Sequence, residues 1–310
     1  MSTEQNNTEL TFAEIGFAEP ILRAVLEQGY TKPTPIQAQA MPHVMQGRDV
    51  MGAAQTGTGK TAAFVLPILQ NILPLASSSA SPARHPIRAL VLTPTRELAD
   101  QVADNAFKYA KYTDIRTAVV FGGVDMSAQT TQLRSGIELL IATPGRLLDH
   151  ITQKTANLSQ VQILILDEAD RMLDMGFLPD LQRIISLIPA QRQTLLFSAT
   201  FSPEIKKLAQ SYLRDPVTIE VARQNAAADT VRQVIHMVPS ERKKDAVVKV
   251  LNARIQQGLS RQAIVFTNSR IGCSKLASAL ERSGIKAGAI HGDKSQIERM
   301  QILESFKNGS

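Results

Sequence analysis

The sequence predicts an α/β protein: a parallel sheet covered by helices on both faces, followed by a second α/β domain. Three observations carry that expectation. Short apolar runs rich in Val, Ile and Leu recur along the chain, and amphipathic stretches of helical period separate them. Runs apolar throughout suit strands buried on both faces, and the helices between are the crossovers that parallel strands need. Nearly every run ends in Thr, Ser, Gly, Asp or His, the polar residues expected at the carboxyl ends of strands, where open α/β sheets hold their ligands.

In chain order the runs are "DVMGAA" (49–54), "RALVLTP" (88–94), "TAVVFGG" (117–123), "IELLIATP" (137–144), "ILILDEAD" (163–170), "TLLFSAT" (194–200) and "VTIEV" (217–221). "AIVFTNS" (263–269) and "AGAIHG" (287–292) are the strands expected in the second domain. Helical patterns fill the gaps, among them "TRELADQVADNAFKYA" (95–110) and "IGCSKLASALERSG" (271–284). "LASSSASPARHP", Leu75 to Pro86, has the composition of a surface loop inserted in the first domain. "ARQNAAADT", Ala222 to Thr230, reads as an interdomain linker. The expected division is therefore a first domain at 1–221, a linker at 222–230 and a second domain at 231–310.

At 310 residues and 44% hydrophobic content the chain is long enough for two cores and too apolar to be disordered. No apolar run approaches the roughly 18 residues of a membrane span, and the start, "MSTEQNNTEL", is polar rather than signal-like. A cytoplasmic protein is expected. Cys273 is the only cysteine and the five histidines are scattered, which excludes a disulfide framework or a zinc cluster. Residues 221–310 hold 15 Lys/Arg against 7 Asp/Glu, net +8, which leaves 1–220 at net −2. That asymmetry, with an isoelectric point near 9.5, suits a polyanion partner, although a solvated basic face has the same composition.

Chemistry first shows at "AAQTGTGKTAAF". Directly after the 49–54 run comes Ala54-Gln55-Thr56-Gly57-Thr58-Gly59-Lys60-Thr61, a P-loop pattern with Ala at its first glycine. Backbone N–H groups of such a loop and of the helix it opens cradle phosphates. Lys60 would reach the outer phosphates and Thr61 would hold Mg²⁺. The same residues fit the looser dinucleotide pattern Gly57-x-Gly59-x-x-Ala62, but that needs an acid about 20 residues on. No Asp or Glu stands between Asp49 and Glu97.

A P-loop supplies half a metal site; the other half is an acid at the end of a neighbouring strand. Asp167 fits that role. Glu168, one residue on, would stand near the γ-phosphate as acceptor of the attacking water's proton. Asp170 lies too far along to share this task and is expected to fix a neighbouring loop.

With these residues the chain resembles the DEAD-box RNA helicases, in wording most like the bacterial RhlE-type subgroup. Beyond "AQTGTGKT" and "DEAD" the family's signatures stand in order: "GYTKPTPIQ" (29–37), "PTRELA" (94–99), "GG" (122–123), "TPGR" (143–146), "SAT" (198–200), "IVFTNS" (264–269) and "HGDKSQIER" (291–299). The resemblance implies two RecA-like domains, ATP with Mg²⁺, RNA as partner, and local, non-processive unwinding coupled to ATP hydrolysis. It makes Gln37 the reader of the adenine edge, Tyr30 a stacking face and Phe12 the upstream aromatic. Pro94, Thr95, Arg96, Gly122, Gly123, Thr143, Pro144, Gly145 and Arg146, with Gly292 and Arg299 of the second domain, become contacts to the RNA backbone. Ser198 and Thr200 become the coupling segment, bonded to Asp170. Ser198 is no hydrolase nucleophile, because it lacks the G-x-S-x-G elbow. Ribosome assembly, RNA decay or cold adaptation are the settings such relatives suggest.

The resemblance also implies segments like "ATDVAARGLD" and "HRIGRTGR", whose arginines reach the γ-phosphate. Neither occurs within these 310 residues. An arginine finger is worth roughly 10³ to 10⁵ in rate. The expectation is a partial second domain whose sheet lacks later strands, and a chain that binds ATP and RNA but turns over weakly alone. A non-catalytic, nucleotide-dependent RNA-binding protein is the alternative.

Overall fold

The computed structural model describes residues 11–55, 57–221, 232–258 and 262–309. The chain divides into two compact units, Met1–Gln224 and Asn225–Ser310. The linker expected at 222–230 and the P-loop residue Thr56 fall outside the described residues.

Among its described residues the first unit holds one sheet of seven strands: β1 (Val50–Ala53), β2 (Ala89–Leu92), β3 (Thr117–Val120), β4 (Leu139–Ala142), β5 (Ile163–Leu166), β6 (Gln193–Ser198) and β7 (Val217–Glu220). Each of the seven runs read from the sequence forms one strand. The order is β3-β4-β2-β5-β6-β1-β7, and every pairing is parallel. Successive side chains of a strand point to opposite faces. Val91, Ile141, Ile165 and Phe197 thus join one core, while Leu90, Leu140, Leu164 and Leu196 join the other. The register leaves little room on β1: a Cβ on Gly52 would come within 2.7 Å of the Phe197 ring.

Among the described residues ten α-helices surround this sheet: α1 (Phe12–Ile15), α2 (Glu19–Glu27), α3 (Pro35–Met45), α4 (Lys60–Ile72), α5 (Arg96–Tyr109), α6 (Met126–Arg134), α7 (Pro144–Thr152), α8 (Ala169–Asp174), α9 (Leu178–Ser186) and α10 (Pro203–Tyr212). Residues of α3, α4 and α5 pack into the first core, and residues of α7, α9 and α10 into the second. Their starts are written in the sequence. Thr95 Oγ accepts from Leu98 N–H at the start of α5, and Ser202 Oγ from Ile205 N–H at α10, which satisfies amide donors a helix cannot pair itself.

The 75–86 segment is more than a surface insertion. His85 is buried, its Nδ1 lies 2.5 Å from Glu138 Oε1, and its Nε2 lies 2.7 Å from the Ser79 carbonyl. Glu138 Oε2 also accepts from Arg116 N–H at 2.8 Å. One buried polar cluster therefore ties the loop to the amino ends of β3 and β4.

The second unit holds α11 (Lys243–Gln256), α12 (Arg270–Arg282) and α13 (Gln296–Asn308). The expected strands at 263–269 and 287–292 do not form among the described residues. A run becomes a strand only when a neighbour supplies ladder hydrogen bonds, and among the described residues neither run makes them. Ile264 and Phe266 are accordingly 68% and 92% exposed.

Candidate functional site

The motifs follow the carboxyl ends of the strands, and the strand order sorts them into two groups. β1, β6 and β5 are adjacent and lead into Ala54–Lys60, Ala199–Thr200 and Asp167–Asp170. β2, β4 and β3 are adjacent and lead into Thr93–Arg96, Thr143–Arg146 and Phe121–Gly123. Backbone bonds stitch the ends together: Ala54 N–H donates to Ser198 O at 3.1 Å, Asp167 N–H to Leu92 O at 3.0 Å and Thr143 N–H to Val120 O at 3.1 Å.

In the first group the loop at 54–60 turns on two glycines in left-handed conformation, Gly57 (φ 86°) and Gly59 (φ 90°), which L side chains rarely adopt. Thr58 Oγ donates to Gln55 O at 2.7 Å. Lys60, buried at the start of α4, donates to Ala54 O at 2.7 Å, across the mouth of the loop. Thr61 follows it, half-buried. Gln37 is buried; its Oε1 accepts from Thr34 N–H at 2.9 Å and its Nε2 donates to Gly59 O at 3.1 Å. The amide expected to read a base edge thus holds the P-loop backbone, with one donor and one lone pair remaining.

Phe12 is 1% exposed, part of the core, and one face stacks on Tyr30 at 6.3 Å between centroids. It backs the stacking residue and offers no face of its own. Tyr30 is 37% exposed, and its hydroxyl accepts from Tyr109 at 3.4 Å.

Asp167 is buried, and its Oδ1 accepts from Glu168 N–H at 3.0 Å. Burial pushes its carboxyl up to about 7; the Lys60 ammonium opposes the rise, and Glu168 and Asp170 add to it. Glu168 caps α8 with left-handed backbone, φ 50° and ψ 51°, a strained choice for a non-glycine residue and a mark of functional sites. Its Oε2 lies 3.4 Å from Arg171 Nη1.

Asp170 reaches the segment after β6. Its Oδ2 accepts from Ala199 N–H at 3.1 Å and from Thr200 Oγ at 3.5 Å. Ser198 does not share that carboxylate; it is buried, and its Oγ accepts from Thr200 N–H at 3.4 Å. The Ala199 contact comes from a backbone amide, for which side-chain identity gives no signal.

In the second group Arg96 covers the Gly122–Gly123 turn: a Cβ on Gly123 would stand 2.1 Å from Arg96 Nη1, and one on Gly122 3.4 Å from Nη2. Only glycine lets the guanidinium lie so close to the backbone. Arg146 Nη1 donates to Val124 O at 3.2 Å. Thr95 and Thr143 are the N-caps of α5 and α7, Pro144 and Gly145 open α7, and Pro94 lies in the bend before Thr95. Gly292 and Arg299 belong to the second unit, where Arg299 Nη1 donates to Gln296 Oε1 at 3.4 Å.

The raised Asp167 carboxyl has a measurable consequence. Its pKa is higher folded than unfolded, so folding takes up a proton between about pH 4 and 7, and stability falls as pH rises through 7. In chelator, Asp167→Asn is expected to melt higher than the parent at pH 8 and alike at pH 4, the gap bounded by on the order of 4 kcal/mol. Melting curves that run parallel across this range would remove the buried charge from the account.

No helix among the described residues is long and apolar enough to cross a membrane. Residues 34–208 match the model of the DEAD/DEAH box helicase family, and residues 242–310 match that of the helicase conserved C-terminal domain. Among curated proteins the chain is 43% identical over 300 residues to ATP-dependent RNA helicase DBP2 of Eremothecium gossypii, covering 96% of this chain and 53% of that one. It is 39% identical over 297 residues to DEAD-box ATP-dependent RNA helicase RhpA of Helicobacter pylori, covering 96% and 58%. The chain thus spans about half the length of the curated relatives it matches. Among solved structures it is similar to a DEAD box protein from the hyperthermophile Methanococcus jannaschii, with TM-score 0.63, 35% identity, and coverage of 96% of this chain and 77% of that one. The sheet, the motifs at its carboxyl edge and these matches together place the chain in the DEAD/DEAH box helicase family.

Proposed function

We propose that this chain belongs to an ATP-dependent RNA helicase acting in the cytoplasm, in which the first unit binds ATP and one RNA strand. The observation that carries the reading is the partition of the carboxyl edge: phosphate chemistry on β1, β6 and β5, and a backbone-and-arginine surface on β2, β4 and β3. RNA is the proposed partner, with ribosomal or RNA-decay assemblies as its setting.

The P-loop amides and Lys60 would take the β- and γ-phosphates, and Tyr30, backed by Phe12, would stack on the base. The donor set fits Mg²⁺. Asp167 is a buried carboxylate left short of positive charge, and Thr61 is adjacent to Lys60 in sequence. Asp167 and Thr61 would hold Mg²⁺, which would supply positive charge against the phosphates.

Glu168 would accept a proton from water as the water oxygen bonds to the γ-phosphorus. The bond from that phosphorus to the bridging oxygen breaks, ADP leaves with the electron pair, and Glu168 returns its proton to solvent. Asp170 then passes the state of the site to Ala199 and Thr200. Arg96, the Gly122–Gly123 turn and the start of α7 would hold phosphates without reading bases, so closure would bend one strand and open a few pairs. ATP can favour closure only through contacts made in the closed state.

The test is mant-ATP binding, RNA binding and RNA-stimulated phosphate release by this chain, beside a chain lengthened to the extent of its relatives. Binding by both with hydrolysis by the longer alone supports the reading. RNA-stimulated hydrolysis by the short chain places the finger charge elsewhere, and failure of either to bind nucleotide removes the P-loop assignment.

A further inference from the structure

A buried polar chain that none of the motifs contains joins α7 to the Gly122–Gly123 turn. His150, in the last turn of α7, is fully buried, and Gln129 of α6 is 7% exposed. Thr155 Oγ lies 2.8 Å from His150 Nδ1, and His150 Nε2 lies 3.4 Å from Gln129 Oε1. Gln129 Nε2 donates to Phe121 O at 3.1 Å and more weakly to Asp125 O at 3.5 Å, the residues that open and close the turn.

The direction of the bonds at Gln129 is fixed by chemistry. Carbonyls only accept, so Gln129 presents its NH₂ to the turn and its oxygen to the imidazole. His150 Nε2 must then carry hydrogen. Burial and the Arg146 charge hold the His150 pKa below its ordinary value, which favours the neutral ring; the Thr155 hydroxyl, 3.0 Å from the His150 carbonyl and 2.8 Å from Nδ1, has one hydrogen to share between these two acceptors. Buried polar chains satisfied in this way rigidify what they join.

Arg146 makes the second attachment of α7 to the same turn, through its bond to Val124 O at 3.2 Å. It stands four residues before His150, on the same side of the helix. A phosphate engaged by Arg146 competes with that bond, whereas the Gln129–His150 link is buried away from ligand.

Resting on the RNA reading above, we infer that Gln129 and His150 are positioning residues: they hold the 121–125 turn on α7 while Arg146 leaves Val124 O for an RNA phosphate. The amides of Gly122 and Gly123 then keep their place through the exchange. Arg146 is the replaceable contact and the buried pair the permanent one.

Gln129→Met keeps length without hydrogen bonds, and Gln129→Glu keeps an acceptor for His150 but cannot donate to Phe121 O. Anisotropy of a labelled single-stranded RNA, with a non-hydrolysable ATP analogue present, reads the effect. Both variants are expected to weaken RNA binding about tenfold, the scale of one lost buried hydrogen bond, with mant-nucleotide affinity unchanged. Thr155→Val, at the far end, should give a smaller loss in the same sense and serves if the Gln129 variants do not fold. A lower melting temperature with parental RNA affinity, or equal loss of both affinities, makes the pair a structural peg and overturns the inference. Arg146→Ala separates the two levels. If the parent binds RNA and Arg146→Ala weakens it while the Gln129 variants bind normally, only the inference falls; if the parent binds no RNA, the RNA reading falls and takes the inference with it.

Discussion

Glu168→Gln is expected to leave mant-ATP affinity unchanged and to lower RNA-stimulated hydrolysis by roughly 10² to 10⁴, the usual contribution of a positioned general base. The substitution preserves shape and can still meet Arg171, which lies 3.4 Å from Glu168 Oε2, so the strained φ of 50° at this cap is retained. Only the capacity to take a proton is lost. Phosphate release at saturating RNA, on the chain lengthened to the extent of its relatives, checks this. Parental turnover would mean that another group takes the proton from water.

Lys60→Ala should weaken nucleotide binding ten- to a hundredfold, the scale of a charged hydrogen bond. Lys60 Nζ already donates to Ala54 O at 2.7 Å, so a phosphate would displace a carbonyl as its partner rather than recruit a disordered side chain. Its charge also opposes the rise of the Asp167 carboxyl, and the variant loses that help for the metal-binding acid. Equal affinity of parent and variant by calorimetry would end the phosphate role of Lys60.

The seven strands of the first unit were legible because a buried parallel strand must be apolar on both faces, a demand met by four or five residues read alone. The same pattern at 263–266 and 287–290 produced no strand among the described residues, because a strand also needs a partner, and pattern does not report partners. Gln37 and Phe12 were found by their motif, but their surroundings were not: the Gly59 carbonyl that Gln37 holds lies 22 positions away, and Tyr109, which bonds Tyr30, lies 79 positions from it. His85 stands in a stretch whose Ser, Ala and Pro suggested an exposed loop, yet its partner Glu138 lies 53 positions away. The Ala199 amide on Asp170 and the Gln129–His150 link have no side-chain signature.

The sheet order also governs synthesis. β1, which delivers the P-loop, lies between β6 and β7, the last two strands of the unit to leave the ribosome. From Val50 to Gln193 the nascent chain must hold its phosphate-binding strand without either neighbour, and one edge stays open until Val217. At 5–20 residues per second this wait lasts on the order of 10–30 s. Throughout it, Val50 and Met51 belong to an edge that other strands can capture, so a partner that shields the emerging chain until Glu220 is made protects the nucleotide site before it exists.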